Sequence, residues 1–415
     1  MNETIRYPKE LTPIIKTLID AKITPVIVGG YVRDTLLQYQ SKDIDIELFG
    51  TFTQEQLISI LKPFATPHLV GKSFGVFKST YKGYDIDFSL PRKEYKTAKG
   101  HTGFSIVSDP TLSFQEASLR RDFTINAMGF DLLNNQLLDP YGGYNDLNKK
   151  ILRVVNKYTF GEDPLRVLRA MQMVARFVLT ANKVLIDICR KMVSENILDE
   201  LPHQRIATEF EKLLLKGKRP SLGIIFLQEI GGFQYFNEFQ TLTPTQHATL
   251  HKRLDHTQTL HYTHNTQHFI VILAVLVEQL CKTSQSSLLE KIVLQKKVIN
   301  QTLQLLDVTF DLNNNNDTKA IYTLATQIDI ALYCTYLATR NTQHKAITTL
   351  YNNAKKLGVL HKPLAPLITG KDLIALGLKP SQKFSYILRD IYEKQIEGKV
   401  STKDEALALI QEKIV

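Results

Sequence analysis

Cysteine is scarce in this chain: of 415 residues only Cys189, Cys281 and Cys334 are cysteines, and no two form a Cys-x-x-Cys pair. That pattern excludes a disulfide framework and a cysteine zinc site, and it predicts buried small hydrophobes at all three positions. Long apolar runs are missing as well. The longest, Phe269 to Val277, is far short of the roughly 20 residues that span a bilayer, so no membrane helix is expected. Met1 to Glu10 mixes charge, proline and polar groups without the apolar core of a signal peptide, which makes the cytoplasm the expected compartment.

What is present is a composition able to fold, 43% hydrophobic and 22% charged. The length exceeds one ordinary core and predicts two to four domains. The formal charge of +10 is unevenly spread: residues 1–150 carry 18 Lys+Arg against 17 Asp+Glu, and residues 151–415 carry 33 against 24. A basic excess confined to the second part is either a solvated surface or a footprint for a phosphate-rich partner.

The first 150 residues read as mixed α/β. Leu11 to Ala21 has the spacing of an amphipathic helix, Thr24 to Val28 of a short apolar strand, and Val32 to Gln38 of a second helix. Further strands are predicted at Ile44–Phe49, Gly75–Ser79 and Tyr84–Leu90. From about Thr159 a 3.6-residue period dominates and strand signals fade, so the remainder should be helical. Breaks are expected at Lys216–Ser221, Lys282–Ser287, Asn313–Asp317 and His361–Pro366. The fold class is α+β, with a head over residues 1–150, a neck over 151–217, a body over 218–362 and a tail over 363–415.

Val26 to Val28, then Gly29-Gly30 and Tyr31-Val32-Arg33-Asp34, read as strand, turn and helix start. Such a turn lets backbone N–H groups approach a phosphate, with Arg33 adding charge, although it also serves as a plain tight connection. Downstream, Asp43 and Asp45 lie two apart on a predicted strand and project from one face. Adjacent carboxylates repel unless a cation lies between them, and hard oxygen ligands suit Mg²⁺; the alternative is a solvated acidic edge. Asp85 and Asp87 repeat the spacing, and either is a candidate third carboxylate. The segment Lys99 to Phe104, with Gly hinges around His101, reads as a loop near the site.

Arg120 to Ala127 places two guanidinium groups, a carboxylate and an amide at a predicted helix. Arginine offers a rigid fork to phosphate, and Asn126 can bond a ribose hydroxyl. In Phe160 to Arg169, Asp163 fits a helix N-cap and Pro164 the first helical position, which capping alone would justify. Arg166 and Arg169 follow at three and six residues. A carboxylate beside guanidinium groups matches adenine and cytosine, each of which sets an exocyclic amine next to an unprotonated ring nitrogen. Guanine and uracil present the reverse, so the expected choice is A and C over G and U.

Taken together, GGYVRD (29–34), DID (43–45), RRDFTINAM (120–128), LLDPYGGYNDL (137–147) and EDPLRVLRA (162–170) resemble the class II tRNA nucleotidyltransferase and bacterial poly(A) polymerase family, of the DNA polymerase beta superfamily. Residues 367–378 resemble the family's tail. The resemblance implies addition of C, A or both to tRNA 3′ ends from CTP and ATP, without a nucleic-acid template, by two-metal transfer. It further implies Asp43 and Asp45 as Mg²⁺ ligands, and Gly29, Gly30 and Arg33 against the triphosphate. Arg121 and Asn126 would handle phosphate and sugar, and Asp163 and Arg166 would read the base with help from Arg169. Helical neck, body and tail would grip tRNA. One departure stands out: Gln172 occupies a position where many members carry arginine. The body histidines, His251, His256, His261, His264 and His268 among them, lack the ligand pattern of a metal phosphohydrolase domain, so no metal is expected there. Two alternatives accompany this reading: a poly(A) polymerase, against which Val70 to Lys78 looks more like the tRNA-type members, and a catalytically idle RNA binder, which would have no use for the carboxylate pair.

Overall fold

The computed structural model describes residues 5–64, 68–70, 76–96 and 104–414. The expected loop at Lys99–Gly103, with His101, and most of the segment between Val70 and Val76 lie outside the described residues. Two compact units divide the chain, residues 1–241 and 242–415.

The first unit opens with helix α1 (Thr12–Asp20), strand β1 (Thr24–Val28), helix α2 (Gly30–Leu36), strand β2 (Asp43–Phe49) and helix α3 (Gln54–Leu61). Strands β3 (His68–Val70), β4 (Val76–Tyr81) and β5 (Tyr84–Ser89) follow, then β6 (Arg92–Lys96) and β7 (Phe104–Ser108), which form a separate hairpin. Helix α4 (Phe114–Ser118) leads to β8 (Gly129–Asp131), β9 (Gln136–Leu138), α5 (Gly143–Asn148) and β10 (Ile151–Leu152). The main sheet runs β3-β4-β5-β2-β1-β8-β9. Its one parallel pair among the described residues is β2 with β5, in the register Asp43↔Asp85 and Asp45↔Asp87. Strict alternation creates the two faces of β2: Ile44 and Ile46 are buried in the core, while Asp43 and Asp45 are exposed on the other side.

The neck elements are α6 (Leu165–Phe177), β11 (Thr180–Ala181), α7 (Lys183–Ser194), α8 (His203–Lys216) and α9 (Pro220–Glu229). Helix α6 packs on both α8 and α9. Residues 218–241, expected to begin the body, therefore pack with the first unit. Strand β11 pairs parallel with β10, a short strand pair in a region expected to be purely helical.

The second unit is helical: α10 (Pro244–Thr257), α11 (Asn265–Val277), α12 (Lys282–Ile292), α13 (Lys296–Asp307), α14 (Thr318–Gln327), α15 (Ile330–Ala338) and α16 (His344–Lys356), then α17 (Gly370–Ala375), α18 (Gln382–Ile396) and α19 (Lys403–Ile414). The long apolar run is the core of α11, every residue from Phe269 to Val277 being buried, as expected of a helix apolar on all sides. Ile368, Leu373, Ile391, Val400, Ala406 and Ile410 form a separate core for the last three helices.

Three expectations are corrected here. Lys282–Ser287 is no break but the first half of α12, because Leu288, Leu289 and Ile292 supply a buried stripe that its polar start extends. Arg120 to Ala127 is not a helix. Its backbone is engaged with the next segment, through Thr124 N–H to Arg153 O at 3.0 Å and Val155 N–H to Asp122 O at 3.1 Å, and only a 3₁₀ turn at Thr124–Asn126 remains. Of the cysteines, Cys189 and Cys334 are buried but Cys281 is exposed just before α12. Hydroxyl groups of Ser284 and Thr283 lower its thiol to about 7. No helix among the described residues is long and apolar enough to cross a membrane.

Candidate nucleotide-binding cleft

The turn after β1 requires glycine. Gly29 has φ +70°, and a Cβ there would stand 2.6 Å from Arg121 Nη1. The missing side chain is thus what lets Arg121 cross the end of β1 and donate to Asn126 O at 3.3 Å. A cleft of about 320 Å³ opens beside this turn. Gly29, Gly30, Arg33, Asp45, Arg121, Asn126, Asp163, Arg166 and Arg169 all line it, together with Arg120, Asp122 and Met173. Asp43 is not a lining residue; it stands two positions before Asp45 on the same face of β2.

Neither Asp43 nor Asp45 accepts a side-chain hydrogen bond or ion pair among the described residues. Although its side chain reaches solvent, the protein crowded around the cleft desolvates the Asp45 carboxyl and raises it above the usual range; Arg121 works against that, and Asp87 and Glu47 add to it. The carboxylates across the parallel ladder are engaged. Asp85 accepts from Thr80 Oγ1 at 2.9 Å and Asp87 from Lys78 Nζ at 2.6 Å. Among the described residues no group of three or more His, Cys, Asp and Glu is arranged around a metal position. The donor chemistry that remains, two partnerless hard carboxylates on one pleat with one disfavoured as an anion, fits a divalent cation.

Behind them lies a buried ionic network. Arg33, only 4% exposed, donates from Nε and Nη2 to Asp34 Oδ1 at 2.8 and 2.6 Å, and from Nη1 to Asn126 Oδ1. Its guanidinium also stacks on Phe177, 4.4 Å from the ring centroid. Asn126 Nδ2 donates to Asp122 Oδ1 at 3.0 Å, and Asp122 Oδ2 accepts Arg169 Nε at 2.7 Å. Burial alone would raise the Asp122 carboxyl, but Arg169, Asn126 and the Phe123 N–H outweigh it and hold it below the usual range.

On the α6 side, Asp163 Oδ1 accepts the Leu165 N–H at 3.0 Å, the capping bond expected, although the helix is counted from Leu165 and Pro164 precedes it. Arg205 stands 3.9 Å from the same oxygen. Arg166 donates to Thr159 O at 3.1 Å and to Arg120 O at 2.8 Å, which fixes its guanidinium plane beside Asp163. Gln172 is buried with its amide nitrogen unbonded, and it does not line the cleft. The supporting roles of Asp34, Glu47 and Asp122 were not assigned from sequence: Asp34 pairs with the adjacent Arg33, but Glu47 meets Arg120 and Arg121, and Asp122 meets Arg169, across distant elements.

Residues 26–153 match the poly A polymerase head domain family, and residues 261–410 match tRNA nucleotidyltransferase domain 2. A multifunctional CCA protein of Neisseria gonorrhoeae is 39% identical over 208 residues, 50% of this chain and 48% of the relative. That of Xylella fastidiosa is 35% identical over 234 residues, 55% of this chain and 54% of the relative. The chain thus matches about half the length of these curated relatives. Among solved structures, a Bacillus stearothermophilus CCA-adding enzyme in complex with CTP shares the fold with a TM-score of 0.75 at 20% identity, covering 98% of each chain. A Thermotoga maritima CCA-adding enzyme complexed with tRNA gives 0.61 at 20% identity, covering 99% of this chain and 97% of that one. With a mixed sheet whose central strand carries the carboxylate pair, and a glycine turn beside it, residues 26–153 belong to the poly A polymerase head domain family, followed at 261–410 by a tRNA nucleotidyltransferase domain 2.

Proposed function

We propose that the chain is a template-independent tRNA nucleotidyltransferase that adds C, A or both to the tRNA 3′ end, using CTP, ATP and Mg²⁺, in the cytoplasm. The observation that carries this reading is the Asp43–Asp45 pair, without a side-chain partner among the described residues, on the strand that borders an arginine-lined cleft.

Asp43 and Asp45 would hold Mg²⁺. When bound, the ion supplies a lowered pKa for the attacking 3′-hydroxyl and charge stabilisation for the departing pyrophosphate. The rest falls to the protein. Gly29 and Gly30 leave room for the triphosphate, and Arg121 and Arg33 bring positive charge to it. Asn126 is held by Arg33 and Asp122, which leaves one amide N–H and one carbonyl lone pair for a sugar hydroxyl. Asp163 Oδ2 accepts no hydrogen bond among the described residues, so it can take an exocyclic amine. Arg166, with two of its five N–H groups committed to carbonyls, can donate to the neighbouring ring nitrogen. This pair favours A and C, and Arg169, fixed by Asp122, adds positive charge to the same cleft. In-line displacement needs no nucleophilic side chain, so positioning and electrostatics carry the rate. Neck, body and tail, with the basic excess, would bind the tRNA.

The test is incubation with transcripts lacking one, two or all three terminal nucleotides of CCA, offered labelled CTP, ATP or both. The expected product stops at a completed CCA, or at CC or A for a partial enzyme. Long adenylate tails would instead identify a poly(A) polymerase, and no Mg²⁺-dependent pyrophosphate release would refute the reading.

A further inference from the structure

The strand that carries Asp43 and Asp45 continues their spacing to Glu47, which points to the same face but is 1% exposed. Its Oε1 accepts Arg120 Nη2 at 2.7 Å and Arg121 Nη2 at 3.0 Å, while Oε2 is buried without a hydrogen-bond partner. Two consecutive arginines repel, and their guanidinium groups would spread into solvent unless a negative charge lay between them. A buried carboxylate that receives both holds them together, and both line the cleft. Because the carboxylate belongs to β2, the arginines are tied to the element that presents Asp43 and Asp45. Two steps of the strand pleat then set the spacing from cation seat to phosphate seat, about 7 Å per pair of residues.

We propose that Glu47 is a positioning residue that holds Arg120 and Arg121 in register with the Asp43–Asp45 pair, so that one strand aligns a nucleoside triphosphate's phosphates with its cation. This rests on the nucleotidyl-transfer reading above. Glu47 touches neither substrate nor cation in this role; it acts through the arginines.

The experiment measures ATP and CTP affinity of Glu47→Gln in EDTA, and KM and kcat with Mg²⁺ and tRNA. With the shared charge-assisted acceptor weakened, affinity for both nucleotides without metal should fall about tenfold and alike, with A and C still preferred over G and U. Unchanged affinity overturns the proposal, and so does tighter binding, which would mean that Glu47 only dilutes positive charge. A purely structural role would lower the melting temperature and leave metal-free affinity in place. Should Glu47→Gln fail to fold, Glu47→Asp keeps the charge but withdraws it by one methylene, and the same loss of metal-free affinity is expected. In an Arg120→Ala Arg121→Ala background, Glu47→Gln should change affinity no further; a persisting effect overturns the proposal. Wild-type protein that neither binds nucleotide nor extends tRNA defeats the functional reading itself, whereas an active wild type with an indifferent Glu47 variant defeats only this inference.

Discussion

In the first unit Arg33, Asp34, Glu47, Asp122 and Asn126 are each less than a tenth exposed, whereas α11 in the second buries an unbroken apolar run from Phe269 to Val277. Both regions exclude water, by opposite means. The helical core gains from area removed from water, and any apolar side chain of similar volume serves it nearly as well. The cleft must desolvate charges, which is unfavourable unless each meets a partner, so its residues are coupled and few substitutions are neutral. Among the described residues the second unit has one comparable cluster, where Arg253 meets Glu278 and Thr339 while Tyr336 donates to Glu278 at 2.8 Å. The difference teaches where to look for function: buried charge costs stability, and in the first unit it surrounds the groups that line the cleft.

Five predictions break or sharpen this contrast. Asp43→Asn would remove a proposed cation ligand without touching packing, so nucleotide incorporation should drop by at least about a thousandfold. Its melting temperature and tRNA affinity by filter binding should stay at wild-type values, and retained incorporation of labelled CTP would remove Asp43 from the site.

Next come two changes of similar thermodynamic size. Leu273→Ala in α11 should lower unfolding free energy by about 2–5 kcal/mol in urea titrations while the nucleotide KM stays put. Asp122→Asn strips Arg169 of its buried carboxylate; because the Arg169 side chain is 32% exposed, about 2 kcal/mol is expected. Here KM should rise as well. An Asp122 variant with wild-type KM would erase the distinction between the two regions.

Arg166→Ala leaves the Asp163 acceptor without its donor neighbour, and preference for A and C over G and U should shrink about tenfold in competition assays. The smallest effect is on pH dependence. In metal-free protein the Asp45 carboxyl should titrate above the usual aspartate range, and Glu47→Gln should bring it down, as read by carboxyl NMR shifts in EDTA. For stability the signs oppose. Asp45, raised in the fold, contributes most below its unfolded value and loses that contribution as pH rises through its folded value. Asp122, held low, contributes above its unfolded value and loses that as pH falls through its folded value. Acid titrations of the Asp122 and Asp45 variants should therefore move in opposite directions.

Much of the head was legible before any coordinates. β1 matches its expected span, and β2 and β5 fall within a residue of theirs at each end, because alternation on a half-buried sheet leaves a direct trace in residue order. The lining residues were legible too, since Gly29-Gly30, Asp45, Arg121, Asn126, Asp163 and Arg166 sit in short motifs whose chemistry is local. What residue order does not disclose is who holds them. Glu47 meets Arg120 across 73 positions and Asp122 meets Arg169 across 47, pairings that only the folded chain creates. The segment after Arg120 misled for the same reason: its bonds to Arg153 and Val155 override its local preference. Cys281 misled because exposure depends on where a helix begins.

The β10–β11 pair deserves a mechanical reading. Thr180 N–H reaches Lys150 O at 2.8 Å and Asn182 N–H reaches Leu152 O at 3.1 Å, so the strands entering and leaving α6 are laced to each other. The pairing closes the loop of chain that contains α6, from Leu152 on the entering side to Thr180 on the leaving side. If Asp163 and Arg166 read the base as proposed, that closed loop would keep them at a fixed station, and successive nucleotides would be gauged against the same marks however far the RNA end has grown.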